Sequence, residues 1–125
     1  MNRTQWNNLS PDERNKAIEK FRGDKNSKYL ISRNRTSFTE VFPDYEGDMN
    51  LAMELIENLA IGGDLIFRLT LKKFTYWRWG VEIIIDDDLY NNDKPEIDVS
   101  SAYMKTPQQA ITTAYAKAVG IITED

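Results

Sequence analysis

The sequence predicts an α+β domain in which helices pack against a three- to four-stranded antiparallel sheet. One observation is a run of alternating apolar residues, which indicates strands with one strongly apolar face: Leu65, Phe67, Leu69, Leu71, and then Trp77, Trp79, Val81, Ile83 and Ile85. The other is that a helical segment lies on each side of this run, each with one apolar stripe at three-four spacing. Such stripes need an apolar surface to cover, so we expect both helices to lie on the sheet.

Length and composition indicate a single soluble domain. With 125 residues, of which 41% are hydrophobic, the chain can build one core but not two. We expect a helix and a basic arm over residues 1–41, an α+β domain over 42–120 and a tail over 121–125. No run of about 18 apolar residues could cross a membrane, and the polar first residues lack a signal-peptide core. These features predict a cytoplasmic location.

The N-terminal part carries a capping box. Ser10 and Glu13, with Pro11 between them, predict a helix over Pro11–Arg22. Its apolar stripe is short, so we expect this helix to bury little and to lie at the periphery.

The basic arm that follows, Arg22–Arg35, has few apolar residues and many like charges. We therefore expect it to be mobile, with a short edge strand near Tyr29–Ile31. Deletion of residues 1–34 is then expected to leave the rest of the chain folded.

Caps and stop residues mark the remaining elements. Asp48 is a suitable N-cap for a helix over Met49–Leu59, and Thr106 with Pro107 is a second start signal. Glycines follow both helices, and the last helix is expected to end at Val119. Between them the pattern predicts three strands, at Asp64–Phe74, Thr75–Asp86 and near Glu96–Tyr103. From the alternation we expect Phe67, Trp79 and Ile83 to be buried.

Charge is unevenly distributed along the chain. Residues 1–40 carry a net charge of +4 and residues 41–125 a net charge of −8. An acidic body disfavours nucleic-acid binding, which draws most of its non-specific affinity from phosphate neutralisation. The element order also resembles that of double-stranded-RNA-binding domains, but the start of the last helix lacks their basic cluster. We therefore expect neither a nucleic-acid nor a membrane partner.

The chain offers little catalytic chemistry. It has no histidine and no cysteine, which removes the commonest general base and all thiolate chemistry. The densest acidic cluster, Asp86 to Asp88, lacks the remaining ligands of a calcium loop, so we expect only weak Ca²⁺ or Mg²⁺ binding there. We predict no enzymatic activity, no catalytic residue, no metal site and no cofactor.

The segment from Lys72 to Trp79 interleaves basic and aromatic residues, as a stacking platform for bases does. Strand alternation, however, sends Trp77 and Trp79 to the core. The binding candidates that stay exposed are Lys72, Tyr76 and Arg78, and the basic arm adds Arg33 and Arg35.

Several motifs together resemble the phage ABA sandwich family, a group of small phage and prophage proteins. They are Phe42-Pro43-x-Tyr45-x-x-Asp48, the helix with Ala52 and Ile56, the Trp77/Trp79 strand, and a last helix that opens Thr106-Pro107-x-x-Ala110-Ile111 and continues through Ala114 and Ala118. The resemblance covers about residues 42–120. It implies an α+β fold and a phage or prophage origin, and the family brings no established activity with it.

These observations predict a non-enzymatic phage or prophage accessory protein in the cytoplasm of a bacterial host cell. It is expected to act by protein–protein interaction, against a host factor or by homo-oligomerisation through the sheet face or an edge strand. The alternative is a protein that binds or sequesters a small, nucleotide-type ligand.

Overall fold

The computed structural model describes residues 1–22, 30–33, 38–59, 64–86 and 97–124. Within these ranges the chain is an α+β domain, as predicted. Its helices are α1 (Arg3–Asn8), α2 (Pro11–Arg22), α3 (Met49–Leu59) and α4 (Pro107–Ala118). Its strands are β1 (Leu30–Arg33), β2 (Phe38–Val41), β3 (Asp64–Lys73), β4 (Trp77–Asp86) and β5 (Ile97–Ser100).

The main sheet has three antiparallel strands in the order β3-β4-β5. β3 pairs with β4 along its whole length, from Asp64 opposite Asp86 to Lys73 opposite Trp77. The strand predicted near Tyr29–Ile31 corresponds to β1, but β1 pairs with β2 in a separate two-stranded sheet. The main sheet is therefore three-stranded in the part of the chain that the structure describes.

Helices α3 and α4 cover one face of the main sheet, which we call the inner face. Ile83 is fully buried there, as predicted, whereas Phe67 and Trp79 are only partly buried against the same cluster. The buried members of this first core are Ala52, Ile56, Val81, Ile83, Ile85, Met104, Ala110, Ile111 and Ala114.

The inner face extends beyond the helices that cover it. Leu69, Leu71 and Trp77 are 37%, 45% and 56% exposed, so the prediction that Trp77 belongs to the core is wrong. The physical reason is length. A ten-residue strand spans about 33 Å, whereas a twelve-residue helix spans about 18 Å.

A second core joins the N-terminal helices to the rest of the chain. Trp6 of α1 and Ile18 of α2 are fully buried in it, beside Tyr45, Leu55, Tyr115, Ala116 and Ile122. The expectation that the helix over Pro11–Arg22 buries little is therefore wrong. Removing residues 1–34 would remove Trp6 and Ile18 from this core, so from the structure we expect, contrary to the sequence-based prediction, that the remainder does not stay folded without them.

The two ends of the described chain lie side by side. Asn2 forms a parallel bridge with Glu124. The Arg3 amide donates to the carbonyl of Glu124 at 2.9 Å, and the Thr123 amide donates to the carbonyl of Met1 at 2.9 Å. These contacts hold α1 against the segment that follows α4.

The predicted helix caps are present. The Ser10 hydroxyl accepts from the Glu13 amide at 3.2 Å, and the Glu13 carboxylate accepts from the Ser10 amide at 3.0 Å. The Asp48 carboxylate accepts from the amide of Asn50 at 2.9 Å. At the end of α4, Gly120 adopts φ 85°, a conformation that favours glycine.

Thr106→Ala should lower the free energy of unfolding by about 1 kcal/mol. The Thr106 hydroxyl accepts from the Gln109 amide at 3.1 Å at the start of α4, and alanine would remove that acceptor. Urea unfolding measures the change. Thr4→Ala, at an exposed position within α1, is the control. Equal stability of the Thr106→Ala variant and the wild type would contradict the capping role.

Candidate functional site

The end of the β3–β4 hairpin carries a group of aromatic and basic side chains, of which all but the half-buried Arg78 are exposed. We call it the hairpin-tip surface; it comprises Lys72, Lys73, Phe74, Tyr76, Trp77, Arg78 and Tyr103. Tyr76 is 68% exposed, and Phe74, Trp77 and Tyr103 are also exposed. The strands position this surface where the sheet projects beyond α3 and α4, so its rings are held by a paired hairpin yet remain open to solvent.

On the outer face of the sheet, Phe74 and Tyr103 form an edge-to-face pair. Their ring centroids are 5.1 Å apart with an interplanar angle of 70°, the arrangement that aromatic quadrupoles prefer. The Lys72 Nζ lies 5.0 Å from the Phe74 centroid and 5.5 Å from that of Tyr103. One cation therefore sits over two rings, which favours a fixed arrangement of all three side chains.

A cation also lies over each of the other two aromatic rings of the surface. The Arg78 guanidinium carbon is 5.4 Å from the Tyr76 centroid, and the Lys73 Nζ is 5.8 Å from Trp77. Arg78 also donates to the carbonyl of Trp77 at 2.9 Å. These contacts orient Arg78 along the turn.

The structure brings three of the five predicted binding residues together. Lys72 and Arg78 are cross-strand partners, and Tyr76 lies in the turn between their strands. Arg33 is the last residue of β1, and Arg35 lies outside the described residues. The prediction that these two arginines take part in binding stays a prediction.

Sequence reasoning missed Phe74, Trp77 and Tyr103 as members of the surface. Tyr103 is distant in sequence from the hairpin and reaches it across Gly80. A Cβ at Gly80 would lie 3.0 Å from the Tyr103 ring, so the glycine leaves room for close packing of that ring on the strand. A glycine inside an otherwise regular strand is the signal that could have indicated such a close approach.

A shallow groove of about 180 Å³ lies beside Tyr103 on the outer face. It is lined mainly by Thr70, Gly80, Glu82, Ser100, Ala102 and Tyr103. Ala102 has φ 62°, a left-handed conformation that is uncommon for a residue with a Cβ. Next to it the Ser101 hydroxyl accepts from the Val81 amide at 2.9 Å, which ties this irregular segment to β4.

A second polar cluster lies inside the molecule, between α2 and residues 44–46. The Arg14 guanidinium binds Glu46 through two nitrogens, at 2.5 and 2.9 Å, and donates to the carbonyl of Leu9 at 2.5 Å. The Asn15 amide group donates to Asp44 at 3.0 Å. Both side chains of the ion pair are only 7% exposed, so this cluster is built for packing rather than for access by a ligand.

Tyr45 stands at the centre of the adjoining network. Its hydroxyl donates to the Glu19 carboxylate at 2.5 Å and accepts from Arg22 at 2.6 Å. Burial raises the pKa of the Tyr45 hydroxyl above its ordinary value, and the hydrogen bond to Glu19 raises it further. Burial likewise raises the pKa of Tyr115. Both groups therefore stay neutral at physiological pH and serve structure.

The raised pKa values of Tyr45 and Tyr115 predict a loss of stability in alkali. Above about pH 10 tyrosines ionise in the unfolded chain, while the raised pKa values favour the protonated form of these two in the folded chain. The unfolded state then binds fewer protons, so the free energy of unfolding falls as the pH rises, by at most about 1.4 kcal/mol per pH unit for Tyr45, and Tyr115 adds to the fall in the same direction. The measurement is urea unfolding between pH 9 and pH 11.

Tyr45→Phe should make this pH dependence less steep, although it lowers stability throughout by removing a buried hydrogen bond. Tyr76→Phe, which removes an exposed hydroxyl, is the matched control. A pH dependence that is the same in the Tyr45→Phe variant and the wild type would contradict the assignment.

The predicted acidic cluster lies at the end of β4 and continues outside the described residues. Asp86 ends β4, and Asp87 and Asp88 lie outside the described residues, so weak cation binding there stays a prediction. Among the residues that the structure does describe, no group of three or more acidic side chains could hold a metal ion.

Comparison of the chain with protein-family models, with curated proteins and with solved structures finds no significant match. None of the described helices is long and apolar enough to cross a bilayer.

Proposed function

We propose that this protein is a non-enzymatic binding protein whose hairpin-tip surface holds an acidic protein partner. The observation that carries the proposal is the exposure of Phe74, Tyr76, Trp77 and Tyr103 on one end of a paired hairpin. Clustered exposed aromatic rings are costly in water and are typical of interaction sites.

The residue types of this surface support a protein interface. Tyrosine, tryptophan and arginine are the residues that most often dominate binding energy in such interfaces, and Tyr76, Trp77 and Arg78 are consecutive here. Because the rings are held by strand pairing and by cations, little conformational entropy remains to be lost on binding.

The charge of the surface indicates the chemistry of the partner. Lys72, Lys73 and Arg78 supply three positive charges, and the surface as defined contains no acidic residue. The neighbouring Arg68 is already paired with Glu82 at 2.9 Å. An acidic partner with apolar groups would complement both the cations and the rings.

The setting we propose is that of a phage or prophage accessory protein that binds a host factor. This part of the proposal rests on the resemblance of the motifs from Phe42 to Ala118 to phage ABA sandwich domains. A small chain with no histidine and no cysteine fits that role, because binding alone is enough to block or redirect a host protein.

Selection of peptides from a random display library against the full chain tests the proposal. We expect the enriched peptides to combine Asp or Glu with apolar residues. Trp77→Ala should weaken their binding about 30-fold, as loss of a hot-spot residue does. Phe21→Ala, which removes an exposed ring from α2, is the matched control and should leave binding unchanged.

Two results would contradict the proposal. One is a set of peptides without acidic residues, and the other is equal affinity for the wild type and the Trp77→Ala variant. Circular dichroism of both variants establishes that each remains folded before affinities are compared.

The second candidate function is binding of a small nucleotide-type ligand. The rings of the hairpin-tip surface, interleaved with Lys72 and Arg78, have the composition of a base-stacking site. The groove beside Tyr103, however, is smaller than the roughly 300 Å³ of most ligand pockets. A thermal-shift screen with nucleotides and a single-stranded oligonucleotide distinguishes the candidates, since only this second function predicts stabilisation.

A further inference from the structure

The strand β3 is an edge of the main sheet. It is ten residues long, and in the described part of the chain its one strand partner is β4. A long edge strand presents unpaired amide and carbonyl groups, which makes it a template for pairing with another strand.

The hydrogen bonds that β4 makes on the side away from β3 show which backbone groups of β3 face the open edge. There Trp79 exchanges two backbone hydrogen bonds with Met104, at 2.8 and 2.7 Å. The N–H and C=O groups of successive residues point to opposite sides of a strand. Because those of Trp79 point away from β3, the neighbouring residues Gly80 and Glu82 are the ones that bond to β3. The groups of β3 that point away from β4 therefore belong to Leu65, Phe67, Leu69 and Leu71.

The side chains of β3 are also incompletely covered. Leu69 and Leu71 point to the inner face but are 37% and 45% exposed. The ends of the strand carry opposite charges, Asp64 at the start and Lys72 near the end, and both are exposed. An antiparallel strand with the same pattern would place opposite charges next to each other and apolar residues beside the two leucines.

We propose that a second copy of this chain occupies the edge, with the two β3 strands paired antiparallel about Arg68. Asp64 then faces Lys72 of the partner subunit at each end of the pair. On the inner face Leu65 faces Leu71 of the partner subunit and Phe67 faces Leu69 of the partner subunit. All four residues with outward backbone groups thereby gain hydrogen-bonded partners.

The side-chain pattern selects this register. A shift by one residue would oppose the inner face of one copy to the outer face of the other. A shift by two residues would place Asp64 opposite Thr70 or Phe74, and both charge pairs would be lost. The cost of facing two Arg68 side chains is reduced because each is already paired with Glu82 of its own chain, at 2.9 Å.

The resulting assembly is a twofold dimer with one continuous sheet in the order β5-β4-β3-β3-β4-β5. Because the two β3 strands are antiparallel, the two hairpin-tip surfaces lie at opposite ends, and Lys72 is the one member of each surface that takes part in the strand pair. The inference shares Lys72 with the proposed function, whereas Asp64 lies outside the hairpin-tip surface, so Asp64→Lys tests the dimer alone. The dimer would present two binding surfaces to partners.

Exchanging the charges of Asp64 and Lys72 tests the inference. Sedimentation equilibrium of the full chain, up to about 1 mM so that weak association is detected, should show a monomer–dimer equilibrium. Asp64→Lys and Lys72→Asp should each weaken dimerisation by about tenfold, because each places like charges opposite one another. The double variant should restore the wild-type affinity, since it rebuilds both pairs in reversed polarity.

Hydrogen exchange provides a measurement that does not depend on the variants. Amides of Leu65, Phe67, Leu69 and Leu71 should gain protection as the protein concentration rises, whereas those of the intervening residues are already protected by β4. Tyr76→Ser, at the hairpin tip, should leave dimerisation unchanged and serves as the control.

Three outcomes would overturn the inference. They are a monomer at every concentration, a dimer whose affinity changes with neither single charge reversal, and a double variant that dimerises no more tightly than the single variants. Each is distinguishable from failure of the proposed function, which is measured by peptide affinity at the hairpin-tip surface.

Discussion

Replacing Trp6 with alanine should lower the free energy of unfolding by about 3–5 kcal/mol. The Trp6 ring is fully buried, and its Nε1 donates to the Thr113 hydroxyl of α4 at 3.2 Å. The substitution leaves a cavity in the second core and removes the hydrogen bond between α1 and α4. Urea unfolding of the wild type and the variant measures the loss.

Trp77→Ala is the matched control, because the same substitution at a ring that is 56% exposed creates no closed cavity. We expect it to cost less than about 1 kcal/mol. If the two variants were equally stable, α1 would not be part of the core. The same reasoning predicts that a chain lacking residues 1–22 does not fold, because it loses both Trp6 and Ile18.

Removing one partner of the buried Arg14–Glu46 pair should also cost about 3–5 kcal/mol. In Arg14→Met the Glu46 carboxylate loses two charge-assisted hydrogen bonds, and the Leu9 carbonyl loses its donor. The cost arises mainly from a charge left buried without its partner. In the double variant Arg14→Met/Glu46→Leu, we expect most of the lost stability to return, because both buried charges are gone.

The exposed pair Arg68–Glu82 is the control for this experiment. Its nitrogen–oxygen distance of 2.9 Å equals the longer of the two Arg14–Glu46 contacts, but the Arg68 side chain is 64% exposed. Arg68→Ala should therefore cost no more than about 1 kcal/mol. A double variant at positions 14 and 46 that is less stable than either single variant would show that the pair contributes net stability.

The sequence predicted the elements whose boundaries are marked by local chemistry. The helix from Asp48 and the helix from Thr106 begin where their caps predict, because a side-chain oxygen bonding an amide two or three residues later is a local event. β3 and β4 were predictable from alternation for the same reason. Their pairing needs only the short turn at residues 74–76.

The contribution of the N-terminal helices could not be predicted in the same way. α2 has a weak apolar stripe, and much of its buried face is polar: Arg14, Asn15 and Glu19. Those residues can be buried only because Asp44, Tyr45 and Glu46 supply matching partners from about 30 positions along the chain. Such pairing is a tertiary property, and hydrophobic periodicity does not report it.

The candidate site was predicted in part. Alternation assigned Lys72 and Arg78 to the outer face, but it also assigned Trp77 to the core. Alternation shows which face a side chain occupies and gives no information on how far the covering helices extend. The extent of α3 and α4 along the sheet decides that Trp77 is exposed.

The contact between α1 and the segment after α4 has a consequence for synthesis on the ribosome. Trp6 cannot form its hydrogen bond to α4 until Thr113, 107 residues later, has left the exit tunnel. At typical rates of translation this takes about 5–20 s, during which the tryptophan of the nascent chain lacks its partners from α4 and the segment after it. We therefore expect the two N-terminal helices to depend on the completed second core, and the nascent chain to be a better chaperone substrate than the finished protein.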